Sequence, residues 1–504
     1  MRPLAVIALF VFSLSALAQG GPTLDARAVD KLMNATLKAW QIPGAAVAIV
    51  RNDRVVYVQG YGVKELGGNA PVTPETLFQI ASTSKAFTTT LMAMLVAEGK
   101  LSWDDPVKKH VPYFRVDDLC TDSQVTLRDL VSHRTGLGRH DELWDNTPLT
   151  REQVIRAIGE TKLARPFRSG YGYHNINFIA AGEAVASAAG VPWEQYVKTR
   201  LFTPLGMTRT VTADADWNAD ADRATGYRWE WRAGRVSPQR PIETETLGSA
   251  GAIKSSARDM GNWVRFQLAN GAFDLHQLIE PAALDETKTP HTVLRLENSS
   301  RDLNPDTHVM SYGLGWTIQD YRGELLVSHS GALNGFRTHV DLLPKRNAGF
   351  VVMANLGRGY ALIALRNALA DMLSGGKSSR DWNAYYLMLD RRADEKAATE
   401  KAERLAKRLP DTTPTLPLAS YAGEYQSRSH GKATLTVADG KLVLGWNRLS
   451  IPLTHYHYDT FTAESELDDV DEQVTFTLNG RREVEALSLF GQRFEKRQPA
   501  RTGR

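Results

Sequence analysis

The sequence predicts an α/β (α+β) protein, in which an antiparallel sheet flanked by helices is followed by a second, all-β domain. Strand-like segments lie near both ends of residues 24–376, and a long, largely helical region separates them. Beyond residue 416 the pattern changes to short runs of alternating apolar and polar residues with glycine turns. A chain of 504 residues also exceeds the size of one compact core, which favours at least two domains.

The segments of the first domain, residues 24–376, follow in order along the chain. An amphipathic helix is predicted over residues 25–40, and two strands, 45–50 and 55–59, are joined as a hairpin by Asn52 and Asp53. Strands are also predicted over residues 325–329, 336–343 and 349–354, with a helix over 360–373 after them. Their short connections favour an antiparallel sheet built from both ends of the domain.

Residues 377–416 are predicted to form a charged helical linker, and residues 417–500 the second domain. Residues 391–408 are rich in Ala, Glu, Lys and Arg, a composition that favours an exposed helix. A Pro- and Thr-rich stretch at 411–417 ends the linker. In the second domain, Asp439-Gly440 and Asn479-Gly480 each lie between strand-like runs, as in β-hairpins.

Residues 1–18 have the pattern of a secretory signal peptide. Arg2 precedes an apolar run at residues 4–14, and Ala16-Leu17-Ala18 provides a small-x-small cleavage pattern. The alternative, an uncleaved membrane anchor, is disfavoured because the apolar run is too short to span a bilayer. We therefore expect a periplasmic or secreted protein without stable membrane insertion.

Charge and cysteine content narrow the possible functions. The 60 Lys and Arg residues nearly balance 57 Asp and Glu residues, for a formal charge of +3, and no long basic run occurs. Nucleic acid is therefore not an expected partner. Cys120 is the only cysteine, so an intramolecular disulfide is impossible. It has no basic neighbour in sequence, and we interpret it as a structural or incidental residue and not as a catalytic one. The sequence leaves the oligomeric state open.

The first candidate catalytic segment is Ser82-Thr83-Ser84-Lys85, at the start of a helix predicted over residues 83–98. Residues three apart share a helix face, so the Ser82 hydroxyl and the Lys85 amine can meet. A serine needs a base to become a nucleophile, and a lysine can serve if desolvation or nearby positive charge lowers its pKa. By itself the spacing also fits a serine cap and an exposed lysine, and roughly one or two matches are expected by chance.

Two further segments carry groups suited to the same chemistry. Tyr173 and Asn175 precede a helix predicted over residues 178–189; a tyrosine hydroxyl can relay a proton, and an asparagine amide can hold Lys85 and orient a substrate. The other segment ends a predicted strand and consists of His329, Ser330, Gly331 and Ala332. A glycine there lets substrate approach the strand edge. Taken singly, an aromatic core residue, a helix-capping asparagine and a strand histidine explain these residues better.

In this order and at these positions, the three segments resemble the serine β-lactamase and penicillin-binding protein superfamily, whose S-x-x-K signature has two companion motifs. The Y-x-N form of the second segment is similar to the branch of class C β-lactamases, D-aminopeptidases and esterases. Residues 130–137, 249–260 and 312–316 also resemble that branch. The resemblance covers about residues 24–376.

The resemblance implies a role for each site residue. Ser82 would be acylated, Lys85 and Tyr173 would move protons, and Asn175 would position Lys85 and the substrate. The backbone N–H groups of Ser82 and Ala332 would form an oxyanion hole. No metal or cofactor is implied, and the expected partner is a small-molecule or peptide substrate.

The substrate-binding strand edge of His329, Ser330 and Gly331 departs from the β-lactamase pattern, which usually has lysine at the position of His329. A lysine offers permanent positive charge to a substrate carboxylate, whereas a histidine is largely neutral above a pKa of about 6.5. This difference favours a peptidase or esterase over an enzyme for carboxylate-bearing β-lactams.

We therefore expect an exported serine hydrolase that acts through a Ser82 acyl-enzyme on small peptides, including peptides with D-residues, or on esters. A class C-like β-lactamase and a D,D-carboxypeptidase are the alternatives among enzymes. The alternative from another class is a non-catalytic sensor that binds peptides or β-lactams. The complete set of Ser82, Lys85 and Tyr173 argues against a sensor, because binding alone does not need it.

In the second domain, residues 421–425 and 455–459 resemble the lipocalin-like β-domain, a barrel-like fold appended to some members of this family. Such a domain would restrict access to the Ser82 cleft or mediate assembly. His455 and His457 share one face of a strand. Because no other ligands are evident, we interpret them as ordinary strand residues and not as a metal site.

Overall fold

An eight-stranded antiparallel sheet is assembled from both ends of the first domain. The protein is described by a computed structural model that covers residues 24–145, 147–231, 233–375, 380–465 and 470–497. The strands are β1 (Gly44–Arg51), β2 (Arg54–Gly62), β3 (Thr292–Val293), β4 (Met310–Tyr312), β5 (Thr317–Tyr321), β6 (Glu324–Leu333), β7 (Phe336–Leu343) and β8 (Ala348–Ala354). Their order is β2-β1-β8-β7-β6-β5-β4-β3, which confirms the predicted sheet. The predicted signal peptide lies outside the described residues.

A two-residue turn of Asn52 and Asp53 joins β1 and β2, as predicted. Asn52 and Asp53 have φ values of 51° and 57°, and Arg51 pairs with Arg54 across them. Asparagine and aspartate tolerate this left-handed conformation, which suits the twist of a two-residue hairpin. The late strand β8 pairs along the other edge of β1, and β1 is buried on both faces because its alternate residues enter two different cores.

Helices cover both faces of the sheet. The six longer helices are α1 (Ala26–Trp40), α2 (Ser84–Ala97), α3 (Asn175–Ala189), α4 (Ala257–Leu268), α5 (Gly359–Ser374) and α6 (Trp382–Ala406). Side chains of α1, α5 and the start of α6 share one core with alternate residues of β1 and β8. Side chains of α2, α3 and α4 share a second core with the residues between them. This division follows from the two-residue period of the strands.

Shorter elements connect these main ones. The short α-helices are Val107–His110, Leu119–Gln124, Leu127–Val131, Arg151–Ile158, Trp193–Val197, Asp214–Ala219, Pro281–Thr287 and Ser299–Leu303. The short strand pairs are Phe78–Gln79 with Lys254–Ser255, Tyr227–Glu230 with Arg235–Pro238, and Ala272–Phe273 with His276–Gln277. Among the described residues, no helix combines the length and apolar character needed to cross a membrane.

Helix α6 begins inside the region predicted as a linker, yet its first turns belong to the first domain's core. Trp382, Tyr386 and Leu389 are buried there, and Asp390 forms an ion pair with Arg358. From Arg391 onward most side chains of α6 are exposed, as its charged composition predicts. The aromatic residues four apart therefore place the first turns against α5, which the overall composition of the segment obscures.

The C-terminal strands close into an eight-stranded antiparallel barrel. They are β9 (Gly423–Ser427), β10 (Gly431–Ala438), β11 (Lys441–Trp446), β12 (Leu449–His457), β13 (Thr460–Ser465), β14 (Val470–Leu478), β15 (Val484–Leu489) and β16 (Gln492–Lys496). The first pairs with the last, which closes the barrel around its own apolar core. The predicted all-β, barrel-like domain is confirmed, with Asp439 and Gly440 forming a left-handed hairpin turn.

His455 and His457 lie at an irregular point in the pairing of strand β12. The pairing of β12 with β13 shifts register between them, and His455 Nε2 lies 2.9 Å from the carbonyl oxygen of Tyr458. Neither histidine belongs to a group of three metal-binding side chains in the part of the chain that the structure describes.

Candidate active site

Ser82 lies in a tight turn between a short strand and helix α2. A single 3-10 turn, Ala81–Thr83, follows the strand Phe78–Gln79 and leads directly into α2. Ala81 has a φ of 51°, a left-handed conformation that costs a non-glycine residue roughly 1–2 kcal/mol. At this bend Ser82 is partly exposed, whereas the residues on either side of it are buried. The turn thus presents one hydroxyl to the surface from within a packed segment.

Lys85 is fully buried one helical turn after Ser82. Its Nζ lies 3.0 Å from Ser82 Oγ, 2.8 Å from Asn175 Oδ1 and 2.7 Å from the carbonyl oxygen of Ala250. The two amide oxygens only accept hydrogen bonds. A neutral amine can donate its two protons to them, which leaves its lone pair for the Ser82 hydroxyl. The geometry therefore suits Lys85 as a general base.

The electrostatics favour the neutral form of Lys85. Burial lowers its pKa well below the ordinary value, because the charged form loses hydration. The negative charge of Asp141 raises the pKa and the positive charge of Arg139 lowers it, and both effects are smaller than that of burial. Neutral lysine near pH 7 is what proton abstraction from a serine requires.

Tyr173 also contacts the Ser82 hydroxyl. Its hydroxyl donates a hydrogen bond to Ser82 Oγ over 2.7 Å, and Lys85 Nζ lies 4.9 Å from the centre of its ring. Burial raises the pKa of Tyr173, so the phenol keeps its proton at neutral pH. Tyr173 is thus placed to give or relay a proton, whereas Lys85 is placed to take one.

Asn175 is the first residue of α3 and is not its cap. The cap is His174, whose Nδ1 accepts from the backbone N–H of Asn177. The Asn175 side chain instead accepts from Lys85 and donates from Nδ2 to Asp141 Oδ1 over 2.9 Å. Because lysine only donates here and a carboxylate only accepts, the two partners fix the orientation of the amide.

Strand β6 passes close to the turn that carries Ser82. A Cβ added to Gly331 would lie 2.1 Å from the carbonyl oxygen of Ile80, so only glycine allows this approach. Ser330 and Ala332, on either side of Gly331, are exposed and line the same cleft as Ser82. The structure therefore brings the predicted strand edge to Ser82, and the oxyanion role of Ala332 stays a prediction.

His329 is held as a neutral imidazole. Its Nδ1 lies 2.7 Å from the carbonyl oxygen of Ser330, to which it can only donate, so Nε2 accepts from the Tyr312 hydroxyl at 2.9 Å. Burial, with a smaller contribution from the charge of Lys85, lowers the pKa of His329 to about 3. This residue consequently offers no positive charge to a substrate at neutral pH.

The cleft above Ser82 has a volume of about 1300 Å³ and is bordered by both domains. Trp144, Tyr171 and Trp229 line it from the first domain, and Glu464 and Ser465 line it from the barrel. A space of this size exceeds what a single amino acid fills and is within reach of a short peptide.

Several groups at the site have no role assigned by sequence reasoning. They are Asp141, Arg139, the Ala250 carbonyl and Tyr312. Residues 249–260 and 312–316 resemble the family in sequence, but the resemblance assigns no role to their side chains or main chain. The loop with Arg139 and Asp141 has no periodic pattern, so its approach to Asn175 had no signal in the sequence.

The fold and this arrangement define a serine hydrolase of the β-lactamase and penicillin-binding protein type. A family model described as Beta-lactamase matches residues 29–371, and the chain belongs to that family. A second model, a domain of unknown function (DUF3471), matches residues 407–501.

Individual proteins are similar to this chain in sequence or in fold. Unguisins hydrolase ungD' from Aspergillus campestris is 28% identical over 421 residues, covering 80% of this chain and 76% of that protein. The structure of an octameric penicillin-binding protein homologue from Pyrococcus abyssi covers 94% of this chain and all of its own, with a TM-score of 0.62 and 22% identity. A D-stereospecific amidohydrolase from Streptomyces covers 70% of this chain and all of its own, with a TM-score of 0.55 and 22% identity.

Proposed function

We propose that this protein is an exported hydrolase that forms an acyl-enzyme on Ser82 and acts on small peptides, including peptides with D-residues, or on esters. The observation that carries the proposal is the position of two proton-transfer groups around Ser82 Oγ: Lys85 Nζ at 3.0 Å and the Tyr173 hydroxyl at 2.7 Å. One is disposed to take a proton and the other holds one to give, which is the pairing that acyl transfer needs.

In acylation, neutral Lys85 takes the proton of Ser82 as Oγ bonds to the substrate carbonyl carbon. The carbonyl oxygen becomes an oxyanion, held by the N–H groups of Ser82 and Ala332. When the bond to the leaving group breaks, Tyr173 protonates the departing nitrogen or oxygen. Lys85 then passes the proton that it took from Ser82 to the Tyr173 phenolate, so that both groups end neutral.

Deacylation repeats these steps with water as the nucleophile. Water adds to the ester carbonyl carbon of the acyl-enzyme and gives its proton to the Lys85 and Tyr173 pair. The carbon–oxygen bond to Ser82 then breaks, and Ser82 Oγ recovers a proton. The products are a free acid and the starting enzyme, with all protons accounted for.

The substrate class is supported by the neutral state of His329 and by the size of the cleft. An imidazole that already donates to Ser330 and accepts from Tyr312 has no proton left for a substrate carboxylate. A cleft of about 1300 Å³ accommodates residues on both sides of a scissile amide. Among similar proteins, one is named as an unguisins hydrolase and another as a D-stereospecific amidohydrolase, which favours amides within this range.

The decisive experiment measures turnover of a p-nitrophenyl ester, a D-alanyl anilide and a chromogenic cephalosporin by the protein and by Ser82→Ala. We expect Ser82-dependent turnover of the ester or the anilide and little of the cephalosporin. Ser84→Ala is the matched control, since the Ser84 hydroxyl is buried and accepts from the backbone N–H of Ile253. It should retain most of the activity.

The alternatives give distinct results in the same assay. Dominant cephalosporin turnover would identify a β-lactamase, and release of terminal D-alanine from a peptide a D,D-carboxypeptidase. A stable mass increase on Ser82 without turnover would identify a sensor. Equal activity of Ser82→Ala and the parent protein would show that the proposed nucleophile is wrong.

Export is supported by the pattern of residues 1–18 alone. N-terminal sequencing of protein recovered from the periplasm or medium should start at Gln19. Recovery of the chain with Met1 intact in the cytosol would contradict this part of the proposal.

The barrel is proposed to limit the length of the substrate, because its rim borders the cleft through Glu464 and Ser465. Ser465→Trp should lower kcat/KM for a longer peptide more than for the small p-nitrophenyl ester. A parallel loss on both substrates, or none on either, would argue that the rim does not select for length.

A further inference from the structure

Three side chains that bind metals well meet where the barrel touches the loop beside the active site. His140 and Glu142 flank Asp141 in that loop, and His430 precedes strand β10 of the barrel. His430 and Glu142 are 288 residues apart in sequence. Among the described residues, one group of three such side chains has its potential ligand atoms within 4.8 Å of one another, and it is this one.

The distances suit a small divalent cation. His140 Nδ1 lies 2.9 Å and His430 Nε2 lies 2.8 Å from the same carboxylate oxygen, Glu142 Oε1. Tetrahedral zinc binds such ligands at about 2.0–2.2 Å, which places the ligand atoms about 3.3 Å apart. The ligand atoms would therefore need to move apart by only about half an ångström to admit the ion. Two imidazoles and one carboxylate are also a ligand set that zinc accepts.

The histidine from the barrel is oriented as a ligand would be. Its side chain is fully buried, and its Nδ1 lies 2.7 Å from Ser429 Oγ, so Nε2 is directed at Glu142. Metal-binding histidines commonly have their second nitrogen fixed by such a partner.

We propose that His140, Glu142 and His430 bind Zn²⁺ and that this ion fastens the barrel to the active-site loop. The site is structural, and no step of hydrolysis passes through it. Its effect on catalysis would run through Asp141, which lies between the two loop ligands and accepts the hydrogen bond of Asn175, the residue that holds Lys85. The ion would thereby fix the position of the barrel and, through Asp141 and Asn175, that of Lys85.

The first test is Zn²⁺ binding by the full-length mature protein after treatment with a chelator, measured by calorimetry. We expect one equivalent per chain, and a melting temperature about 3 °C higher with Zn²⁺ at one hundred times its dissociation constant. Co²⁺ in the same protein should give the visible absorption bands of a tetrahedral site with nitrogen and oxygen ligands.

Substitutions identify the ligands. His430→Ala and Glu142→Gln should each weaken Zn²⁺ binding by more than about 100-fold, and Ser429→Ala by about 10-fold, because it only orients His430. Glu142→Gln keeps the size of the side chain, which protects the test against a folding defect in His430→Ala. His455→Ala is the matched control: it removes a barrel histidine outside the cluster and should bind Zn²⁺ like the parent.

Two results would overturn the proposal. One is the absence of stoichiometric binding, which would mean that the three residues form only a hydrogen-bonded cluster. The other is equal binding by the parent, His430→Ala and Glu142→Gln, which would place the ion elsewhere. Both results are measured by Zn²⁺ binding and not by turnover. Failure of the proposed hydrolase function would therefore not affect the test of the zinc site.

Discussion

Gly331→Ala tests whether the approach of strand β6 to the Ser82 turn sets the catalytic geometry. The added Cβ would lie 2.1 Å from the carbonyl oxygen of Ile80, whereas nonbonded carbon and oxygen need about 3.2 Å. The strand and the turn must therefore separate by about 1 Å. The opposing atom belongs to the Ile80 backbone, so no flexible side chain can rotate away to relieve the overlap.

This displacement should lower the rate of hydrolysis. Ala332 follows Gly331 directly, so its N–H group moves relative to Ser82, the other proposed oxyanion donor. A misplacement of about 1 Å costs about 100-fold in rate, and overpacking of this kind costs about 1–3 kcal/mol of stability. We expect kcat to fall about 100-fold, with KM changing much less, because the oxyanion exists only in the transition state.

The assay is steady-state hydrolysis of the p-nitrophenyl ester, with thermal unfolding to confirm the fold. Gly323→Ala is the control: Gly323 has a φ of 80° in the turn before β6, and a Cβ there meets nothing within 4 Å. It should cost about 1 kcal/mol of stability through backbone strain and leave kcat nearly unchanged. A folded Gly331→Ala variant with the parent kcat would refute the reasoning.

Further substitutions separate the electrostatic contributions. Asn175→Asp places a carboxylate against Lys85 Nζ, which should raise the pKa of Lys85, shift the acidic limb of the kcat/KM profile to higher pH and lower activity at pH 7 by about 100-fold or more; an unshifted limb would contradict this. His329→Lys should raise cephalosporin acylation relative to ester acylation by about 10-fold, the value of one charge-assisted hydrogen bond, and an unchanged ratio would remove the argument from His329. Burial raises the pKa of Asp341 to about 7, above its value in the unfolded chain. The protonated carboxyl therefore contributes fully to the free energy of unfolding below about pH 4, and this contribution, on the order of 4 kcal/mol, is lost as the pH rises through 7. Asp341→Asn should flatten that decline in urea unfolding, and the same slope in both proteins would contradict the assignment.

Local chemistry in the sequence predicts much of the fold. Asn52 and Asp53 identify the first hairpin because few other residues accept a left-handed turn. Alternation of apolar and polar residues identifies the C-terminal strands because the barrel buries only one of their faces. Composition is a weaker guide for α6, where Trp382 and Tyr386 bind the helix to the first core although charged residues dominate the segment.

The candidate site divides in the same way. The pairing of Ser82 with Lys85 follows from helix geometry, since three residues separate them on one face. For Tyr173 and the strand edge at Gly331, side-chain chemistry suggests a role but only the resemblance to a family favours it, because no periodicity relates them to Ser82 across the intervening chain. Contacts of the irregular loop, such as Asp141 with Asn175, depend on how the loop packs, which a sequence pattern does not encode.

The position of Asn175 favours the neutral form of Lys85 that the proposed role as a base requires. Asp141 is close enough for its charge to raise the pKa of Lys85, and a direct ion pair would hold the lysine charged. The amide stands between them: it accepts from Lys85 and donates to the carboxylate. Arg139 also pairs with Asp141 and lowers the pKa of Lys85. None of the three atoms that Lys85 Nζ bonds belongs to a carboxylate. The site thus keeps the carboxylate that orders its asparagine while shielding the lysine from the charge that would disable it.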